Sequence, residues 1–331
     1  MSELTFQNVP IKQGLPLVRE AMGALIILAV GAVGYFLFPD DLALLTRIIG
    51  LAFLVLSLDL VTGYCGVATL GHAALFGVAA YAVGGACVRG ITDPIALLLI
   101  GMVAGVMIGL ISGALITRFR GLPQLVLSIA VGQLVASLAN KLQWLTGGSD
   151  GLSGIEPGKV FGIFSFDFQS RTAFLFSLGV LVVTFVVLQR GVNSPFGLMC
   201  RGIKDDALRA KMIGTSIYPR LVAMYGIAGA VAGLGGALTA MSAGVVGLDG
   251  VGFERSGDAL VMLVLGGAGH LWGALVGTVI FMIFQHVVAS NDPFHWITLV
   301  GLLLILSVVF APRGLVGLVL SLHAKMARAR N

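Results

Sequence analysis

Few residues in this sequence have types and spacing suited to chemistry, and the densest group lies in one segment. Residues 201–220 read RGIKDDALRAKMIGTSIYPR, in a chain of which only 11% is charged. The sequence has no phosphate-binding GxxxxGK[ST], no HExxH and no pair of carboxylates on a predicted membrane helix. GGSDG at 147–151 has the letters of GxSxG, but it follows a predicted helix and not the strand that a nucleophile elbow needs. Its three cysteines, Cys65, Cys87 and Cys200, form no CxxC and have no histidine at metal-binding spacing. We therefore predict no enzyme activity, no metal site and no nucleotide-hydrolysing site in this chain.

The elements that position these residues are predicted to be membrane helices. The chain is 58% hydrophobic with a mean hydropathy of +1.03, and it contains repeated apolar runs, each long enough to cross a hydrocarbon core about 30 Å thick. A long apolar region at 258–290 is predicted to be two helices or a re-entrant pair, broken in LGGAGHLWG at 265–273. The other spans are predicted at 21–38, 42–61, 66–88, 95–117, 122–143, 172–189, 218–243 and 295–312.

The predicted fold is all-α: a polytopic transmembrane bundle of about ten helices, with eight to ten allowed. Some helices are expected to be broken or re-entrant, and short helices lie in a cytoplasmic loop. Of the 20 Lys and Arg residues, 14 fall on one side of these spans, five on the other, and Arg47 lies within a span. The richer side is therefore predicted to be cytoplasmic, together with both termini.

The resulting domain organisation has three parts. Residues 1–20 form a cytoplasmic tail, residues 21–320 the transmembrane domain, and residues 321–331 a basic cytoplasmic tail that meets anionic lipid. Within the transmembrane domain, 190–217 is the longest cytoplasmic loop and 144–171 the outer loop.

Four glycines, Gly101, Gly105, Gly109 and Gly113, recur every four residues and so share one helix face. Small residues in this pattern let two membrane helices approach closely. The pattern indicates either ordinary helix packing or the sliding interface of a transporter.

Two Gly-His stretches are similar to one another: ATLGHAALFGVAA, with Gly71 and His72, and GGAGHLWGALVGT, with Gly267 and His270. They indicate either an internal repeat whose broken helices line a solute pathway, or chance in a glycine-rich chain. His72 fits a hydrogen-bonded packing role as well as a solute contact.

The turn Gly147-Gly148-Ser149-Asp150 in the outer loop is a further pathway candidate. Its side chains Ser149 and Asp150 could contact solute, form a structural turn or support an external partner.

The charged loop is predicted to form two short amphipathic helices. Ser194-Pro195 has the pattern of a helix start, Asp205 and Asp206 can cap a second helix, and Gly214 follows its end. Such an element either binds a partner or is a solvated loop that anchors the inner face.

KDDALRAKMIG at 204–214 resembles the cytoplasmic coupling loop of ABC importer permeases, in the variant of the LivM-type permeases for branched-chain amino acids. Three further stretches resemble motifs of that family, in the same order along residues 50–320. The family often has serine in place of Thr69, and Glu-Ala-Ala in place of Asp206-Ala207-Leu208. The further stretches are GYCGVATLGHAALFGVAAY, LTGGSDGLSGI and VMLVLGGAGHLWGALVG.

The resemblance implies a permease subunit of a bacterial inner-membrane importer for branched-chain amino acids or related small polar solutes. It implies as partners a second homologous permease subunit, two cytoplasmic ATPase subunits that bind ATP and Mg, and a periplasmic solute-binding protein. It implies membrane lipid but no nucleic acid, and no cofactor held by this chain. The residues that would couple the permease to the ATPase are Arg201, Asp205, Asp206, Ala207, Leu208, Arg209 and Gly214.

The residues alone leave other functions open. An ATP-independent secondary carrier, or a passive channel, could pass a small solute such as urea, an amide or an aromatic acid. A proton-coupled carrier is expected to have carboxylates deep in several spans, whereas Arg47 and Asp59 are the only charges that we place within the spans. They lie about 18 Å apart along one helix and do not pair. An intramembrane enzyme would need a catalytic triad or metal cluster, and none is evident.

Overall fold

The computed structural model describes residues 16–160, 164, 166, 170–291, 298–302, 305, 314, 315 and 317. The tail 321–331 and most of the predicted span 295–312 lie outside these residues. The described helices are α1 Pro16–Leu37, α2 Leu42–Leu58, α3 Ala73–Val88, α4 Pro94–Ile116, α5 Leu122–Lys141, α6 Gln143–Thr146, α7 Arg171–Asn193, α8 Pro195–Asp205, α9 Ala207–Met212, α10 Ile217–Ala243, α11 Phe253–Gly266 and α12 Leu271–Asn291.

These helices form an all-α membrane bundle. Within the described residues, six helical segments are long and apolar enough to cross a membrane, and two apolar helices, Ala21–Leu37 and Ala73–Val88, are shorter. The prediction of a polytopic helical protein is confirmed, but the described residues do not support the count of about ten spans. The six long segments are Leu42–Tyr64, Pro94–Ile116, Leu122–Lys141, Arg171–Asn193, Ile217–Ala243 and Leu271–Ser290.

The core of the bundle is built around α2 and α10. Phe53, Leu54 and Val55 of α2 are fully buried, and α10 packs against α2, α3 and α4. In contrast, Leu99 and Val103 of α4 are exposed. In a membrane such aliphatic surfaces are stable against lipid, because hydrocarbon tails are as apolar as leucine.

The four spaced glycines of α4 face α10. A Cβ atom at Gly105 would meet the carbonyl oxygen of Gly229, and one at Gly109 would lie 2.5 Å from the carbonyl oxygen of Tyr225. Gly101 and Gly113 are similarly close to α10, where added Cβ atoms would lie 2.8 Å and 2.5 Å from the nearest side-chain atoms. The two backbones are therefore in direct contact along the length of the glycine repeat.

The third predicted span begins later than its hydropathy suggested. It was predicted from residue 66, but α3 begins at Ala73, and the second span continues beyond α2 as a π-helical segment, Asp59–Tyr64. Residues 65–72 between them are not helical, and Gly66 has a positive φ of 72°. Hydropathy measures apolarity and not backbone conformation, so this apolar stretch was wrongly predicted as helix.

Side chains from other helices satisfy part of this irregular backbone. The amide of Leu70 donates to Ser128 Oγ of α5, and the amide of Ala73 donates to Ser256 Oγ of α11, each at 3.0 Å. Non-helical backbone at membrane depth is tolerated where protein groups supply its hydrogen bonds.

The interrupted region near the C-terminal end of the chain is two helices in the structure. The break between α11 and α12 is residues 267–270, within the predicted 265–273. Gly267 has a φ of 108°, a conformation that few residues other than glycine adopt. Gly266 packs directly on Gly273 and Gly277, which brings the two helices close together beside the turn.

α11 also begins earlier than the predicted region 258–290. Arg255 therefore lies in its first turn, shortly before Asp258, and both residues interact electrostatically with Arg47 of α2. The prediction that Arg47 and Asp59 are the only charges within the membrane helices missed Arg255, because a charged first turn lowers the mean hydropathy at a helix start, and it left Asp258 at the edge of the predicted region.

A small sheet that was not predicted ties the outer loop to the end of α10. Strand β1, Leu152–Ser153, pairs antiparallel with β2, Val245–Val246. Two-residue strands are too short to show an alternating pattern in the sequence.

Candidate functional site

The loop between α7 and α10 comprises residues 194–216, slightly shorter than the predicted 190–217, because α7 continues to Asn193. Ser194 caps α8: its Oγ accepts a hydrogen bond from the amide of Gly197 at 3.4 Å, with Pro195 at the first helical position. Cys200 and Ile203 form the buried side of α8. The amphipathic pattern thus places the apolar side of α8 against the bundle.

Asp206 caps the second short helix. Its Oδ1 accepts hydrogen bonds from the amides of Leu208 at 2.9 Å and Arg209 at 3.1 Å, and its Oδ2 pairs with Arg209 Nε at 2.9 Å. Asp205 does not cap this helix, since it is the last residue of α8 and is exposed. The backbone at Asp206 is extended, and this residue separates α8 from α9.

The end of this loop presents an exposed apolar surface, which we call the α9 face and define as Leu208, Met212 and Ile213. Their exposed fractions are 66%, 77% and 83%. Ala207 is partly buried on the opposite side, and Gly214 follows the α9 face with a positive φ. Three large apolar side chains this exposed on a charged loop are typical of a surface that a partner protein covers.

The base of the loop is tied to the membrane helices by two cations of α8. The guanidinium carbon of Arg201 lies 4.9 Å from the ring centroid of Tyr64, a cation–π distance. Lys204 Nζ donates a 2.6 Å hydrogen bond to the carbonyl oxygen of Gly63. The carboxylate of Asp59, on the same π-helical segment, accepts a 2.6 Å hydrogen bond from the amide of Gly269.

Sequence reasoning named Arg201 but missed Lys204 and Asp59 as parts of this site. Asp59 stood out as a charged residue within a predicted span, which is itself a functional signal. Its partner could not be read from the sequence, because Gly269 lies 210 residues away.

The predicted pathway residues lie in three separate environments. His72 is 1% exposed, and its Nε2 lies 3.0 Å from Ser57 Oγ. The neighbouring Gly71 packs against the backbone of Ser128 and Gly132. In the described conformation both residues belong to the packed interior.

The other pathway candidates lie elsewhere. Ser149 and Asp150 are exposed in the outer loop, with Ser149 Oγ 3.3 Å from Asp150 Oδ1. Gly267 is buried and His270 is exposed in the turn between α11 and α12. His72 and His270 therefore differ in burial and surroundings, despite their similar sequence context.

No group of three or more His, Cys, Asp or Glu residues that could hold a metal occurs among the described residues. Cys65, Cys87 and Cys200 are buried and free.

Comparison with known proteins finds a matching family model and several relatives. A family model described as "Branched-chain amino acid transport system / permease component" matches residues 42–309. The chain is 25% identical over 301 residues to the high-affinity branched-chain amino acid transport system permease protein LivM of Escherichia coli, covering 83% of this chain and 69% of that protein. LivM of Salmonella typhimurium is 25% identical over 299 residues with the same coverage.

BraD of Pseudomonas aeruginosa, named as a permease protein of the same kind of transport system, is 29% identical over 145 residues. This match covers 42% of this chain and 46% of BraD. No solved structure matches the chain. The region matched by the family model includes the charged loop 194–216, the predicted outer loop 144–171 and both Gly-His stretches.

Proposed function

The chain belongs to the family of branched-chain amino acid transport permeases, and we propose that it is the LivM-type permease subunit of an ABC importer. In this function it forms part of the solute pathway and couples that pathway to ATP hydrolysis by separate subunits. The solute class is branched-chain amino acids or related small polar solutes, as the names of the relatives indicate.

The observation that carries the proposal is the α9 face on its capped, charged loop. Leu208, Met212 and Ile213 are exposed beyond the end of the bundle, and Asp206 holds the helix that presents them. An ATPase subunit that covers this face would gain apolar burial, and the charges of Asp205 and Arg209 would set its orientation.

The partners in this proposal are those that the family resemblance implies. We propose a second homologous permease subunit, two ATPase subunits that bind ATP and Mg on the cytoplasmic side, and a periplasmic solute-binding protein that docks near Ser149 and Asp150. The protein lies in the bacterial inner membrane with both termini cytoplasmic, and the basic tail 321–331 meets anionic lipid.

Ten membrane helices fit this orientation. The six long segments, the shorter α1 and α3, and α11 with 14 residues make nine, and the sequence-predicted span 295–312 is the tenth. An even number returns the chain to the cytoplasmic side. The proposal keeps the predicted division into a tail at 1–20, a transmembrane domain at 21–320 and a basic tail at 321–331.

The test is solute uptake by the reconstituted complex of both permeases, the ATPase subunits and the binding protein in liposomes. We expect accumulation that requires ATP. Leu208→Asp should lower both ATPase co-purification and uptake at least about tenfold, because a buried unpaired carboxylate opposes docking. The control Leu122→Asp makes the same change at an exposed position, the first residue of α5, and it should leave both nearly unchanged.

Two outcomes would contradict the proposal. Accumulation that persists without the ATPase subunits and collapses with the ion gradient would identify a secondary carrier. Flux that never accumulates solute would identify a passive channel.

A further inference from the structure

Three parts of the chain that are distant in sequence meet where α8 reaches the bundle. We call this contact the inner junction. It consists of Arg201 and Lys204 of α8, Asp59, Gly63 and Tyr64 of the π-helical segment, and Gly269 of the turn between α11 and α12.

Two short hydrogen bonds hold the inner junction together. Lys204 Nζ donates to the carbonyl oxygen of Gly63, and the amide of Gly269 donates to Asp59 Oδ1, both at 2.6 Å. Lys204 is ionised in the first bond, and a hydrogen bond with an ionised partner is shorter and stronger than a neutral one. The first bond joins the coupling loop to the second span, and the second bond joins that span to the turn.

Gly63 lies at the centre of this contact. A Cβ atom there would lie 2.5 Å from the amide nitrogen of Gly269, and it would lie even closer to Asp59 Oδ1. Only glycine lets the π-helical segment approach the turn this closely while its carbonyl remains available to Lys204. π-Helical segments inside α-helices are frequent at functional sites.

The charges of the inner junction depend on one another. Asp59 is fully buried, and its Oδ2 has no hydrogen-bond partner among the described residues. Lys204 and Arg201 both interact electrostatically with this carboxylate. Burying a carboxylate costs free energy unless a cation compensates its charge. Movement of α8 away from the segment would therefore lose this compensation as well as the hydrogen bond from Lys204.

We propose that the inner junction is the joint through which movement of the coupling loop reaches the membrane helices, with Lys204 and Asp59 as its positioning residues. This inference rests on the proposed function. A displacement of α8 must either carry the end of the second span and the turn with it, or separate Lys204 from Gly63 and Asp59. Helices α2, α11 and α12 are suited to transmit such a displacement, because α2 packs against both α11 and α12.

The alternative is a static brace that only stabilises the inner end of the bundle. A brace and a joint differ in one measurable quantity, the number of solute molecules accumulated per ATP hydrolysed. Loss of a brace lowers the amount of folded complex and reduces both rates in proportion. Loss of a joint leaves the assembled complex hydrolysing ATP with less transport.

The experiment uses the full reconstituted complex and four variants. Lys204→Met keeps the aliphatic stem and removes the ammonium, while Lys204→Arg keeps the charge and donors. Asp59→Asn keeps an oxygen acceptor for Gly269 and removes the charge. Lys141→Met removes an exposed lysine at the end of α5 and is the matched control. Uptake and ATP hydrolysis are measured at increasing concentrations of solute-loaded binding protein, with complex assembly checked by size-exclusion chromatography.

We expect Lys204→Met to assemble and to hydrolyse ATP within about twofold of wild type. Its maximal uptake should fall roughly tenfold, with the half-saturating concentration of binding protein unchanged. Asp59→Asn should reduce uptake in the same direction, Lys204→Arg should restore at least half of it, and Lys141→Met should behave as wild type. These magnitudes correspond to the loss of one charge-assisted contact.

The inference is overturned if Lys204→Met keeps the wild-type ratio of uptake to hydrolysis, whether both rates are unchanged or both fall together. It is also overturned if this variant fails to assemble, since the contact would then be a folding contact. If the wild-type complex shows no ATP-dependent accumulation, the proposed function fails instead, so the two failures are distinguishable.

Discussion

The interface between α4 and α10 and the inner junction both bring backbones together at glycines, but they are held in different ways. Along α4 and α10, Gly105 and Gly229 approach so closely that a Cβ atom on either would meet the carbonyl oxygen of the other. The glycine repeat itself contains no ionisable side chain. In the inner junction, Gly63 makes a similar close approach, but Lys204 and Asp59 supply the hydrogen bonds.

The difference predicts where the molecule moves. Close-packed backbones lose many small van der Waals contacts at once when they slide, so α4 and α10 should move as one body. Two hydrogen bonds with charged partners can be broken and remade in a second arrangement, which a switching element requires. We therefore expect rigidity along the glycine repeat and mobility at the inner junction.

The largest effect is expected from Gly105→Leu, because its side chain would overlap the backbone of α10. We expect the free energy of unfolding to fall by about 3 kcal/mol or more, with little monodisperse protein in size-exclusion chromatography. Gly179→Leu is the matched control, since Gly179 is exposed on α7 with open space beside it. Equal stability of the two variants would show that the glycine repeat is not a tight interface.

The second effect is expected from Gly63→Ala, which places a methyl group against Asp59 and Gly269. We expect the complex to assemble with a loss of about 1–3 kcal/mol in stability, while uptake per ATP hydrolysed falls at least about fivefold, in line with the loss of one hydrogen bond. Gly85→Ala in α3 is the control, because a Cβ atom there meets nothing within 4 Å. Wild-type uptake in Gly63→Ala would remove the distinction between the two regions.

A smaller effect is expected from Asp206→Ala, which removes the cap of α9 and the ion pair with Arg209. Loss of an N-cap costs about 1 kcal/mol, so amide hydrogen exchange in residues 207–212 should become about fivefold faster. Asp206→Asn retains the cap and loses the ion pair, and its exchange should stay close to wild type. If both variants exchange equally fast, the ion pair and not the cap holds α9.

The smallest effect is expected from Arg201→Gln, which removes the cation above Tyr64. Cation–π contacts contribute about 0.5–1 kcal/mol at exposed sites, so thermal unfolding of the complex should shift only slightly and uptake should fall about twofold. A decrease as large as that expected for Lys204→Met would mean that Arg201 contributes to positioning as much as Lys204 does.

Much of this architecture was predictable because its signals are local. Apolar runs located most of the spans, the glycine-rich LGGAGHLWG located the break between α11 and α12, and the pattern around Ser194 and Asp206 indicated two short capped helices. Each signal depends on residues a few positions apart. The start of α3 was predicted wrongly, because residues 65–72 are apolar enough to resemble a helix.

The sequence by itself determined that this chain is a membrane helix bundle with one densely charged loop, since transfer of apolar side chains into lipid and helix capping are properties of short segments. Only the tertiary structure decided what that loop touches. Lys204 meets Gly63 across 141 residues, and Asp59 meets Gly269 across 210 residues. No local pattern encodes such contacts, because the packing of the whole bundle decides which buried carbonyl or carboxylate a distant donor can reach.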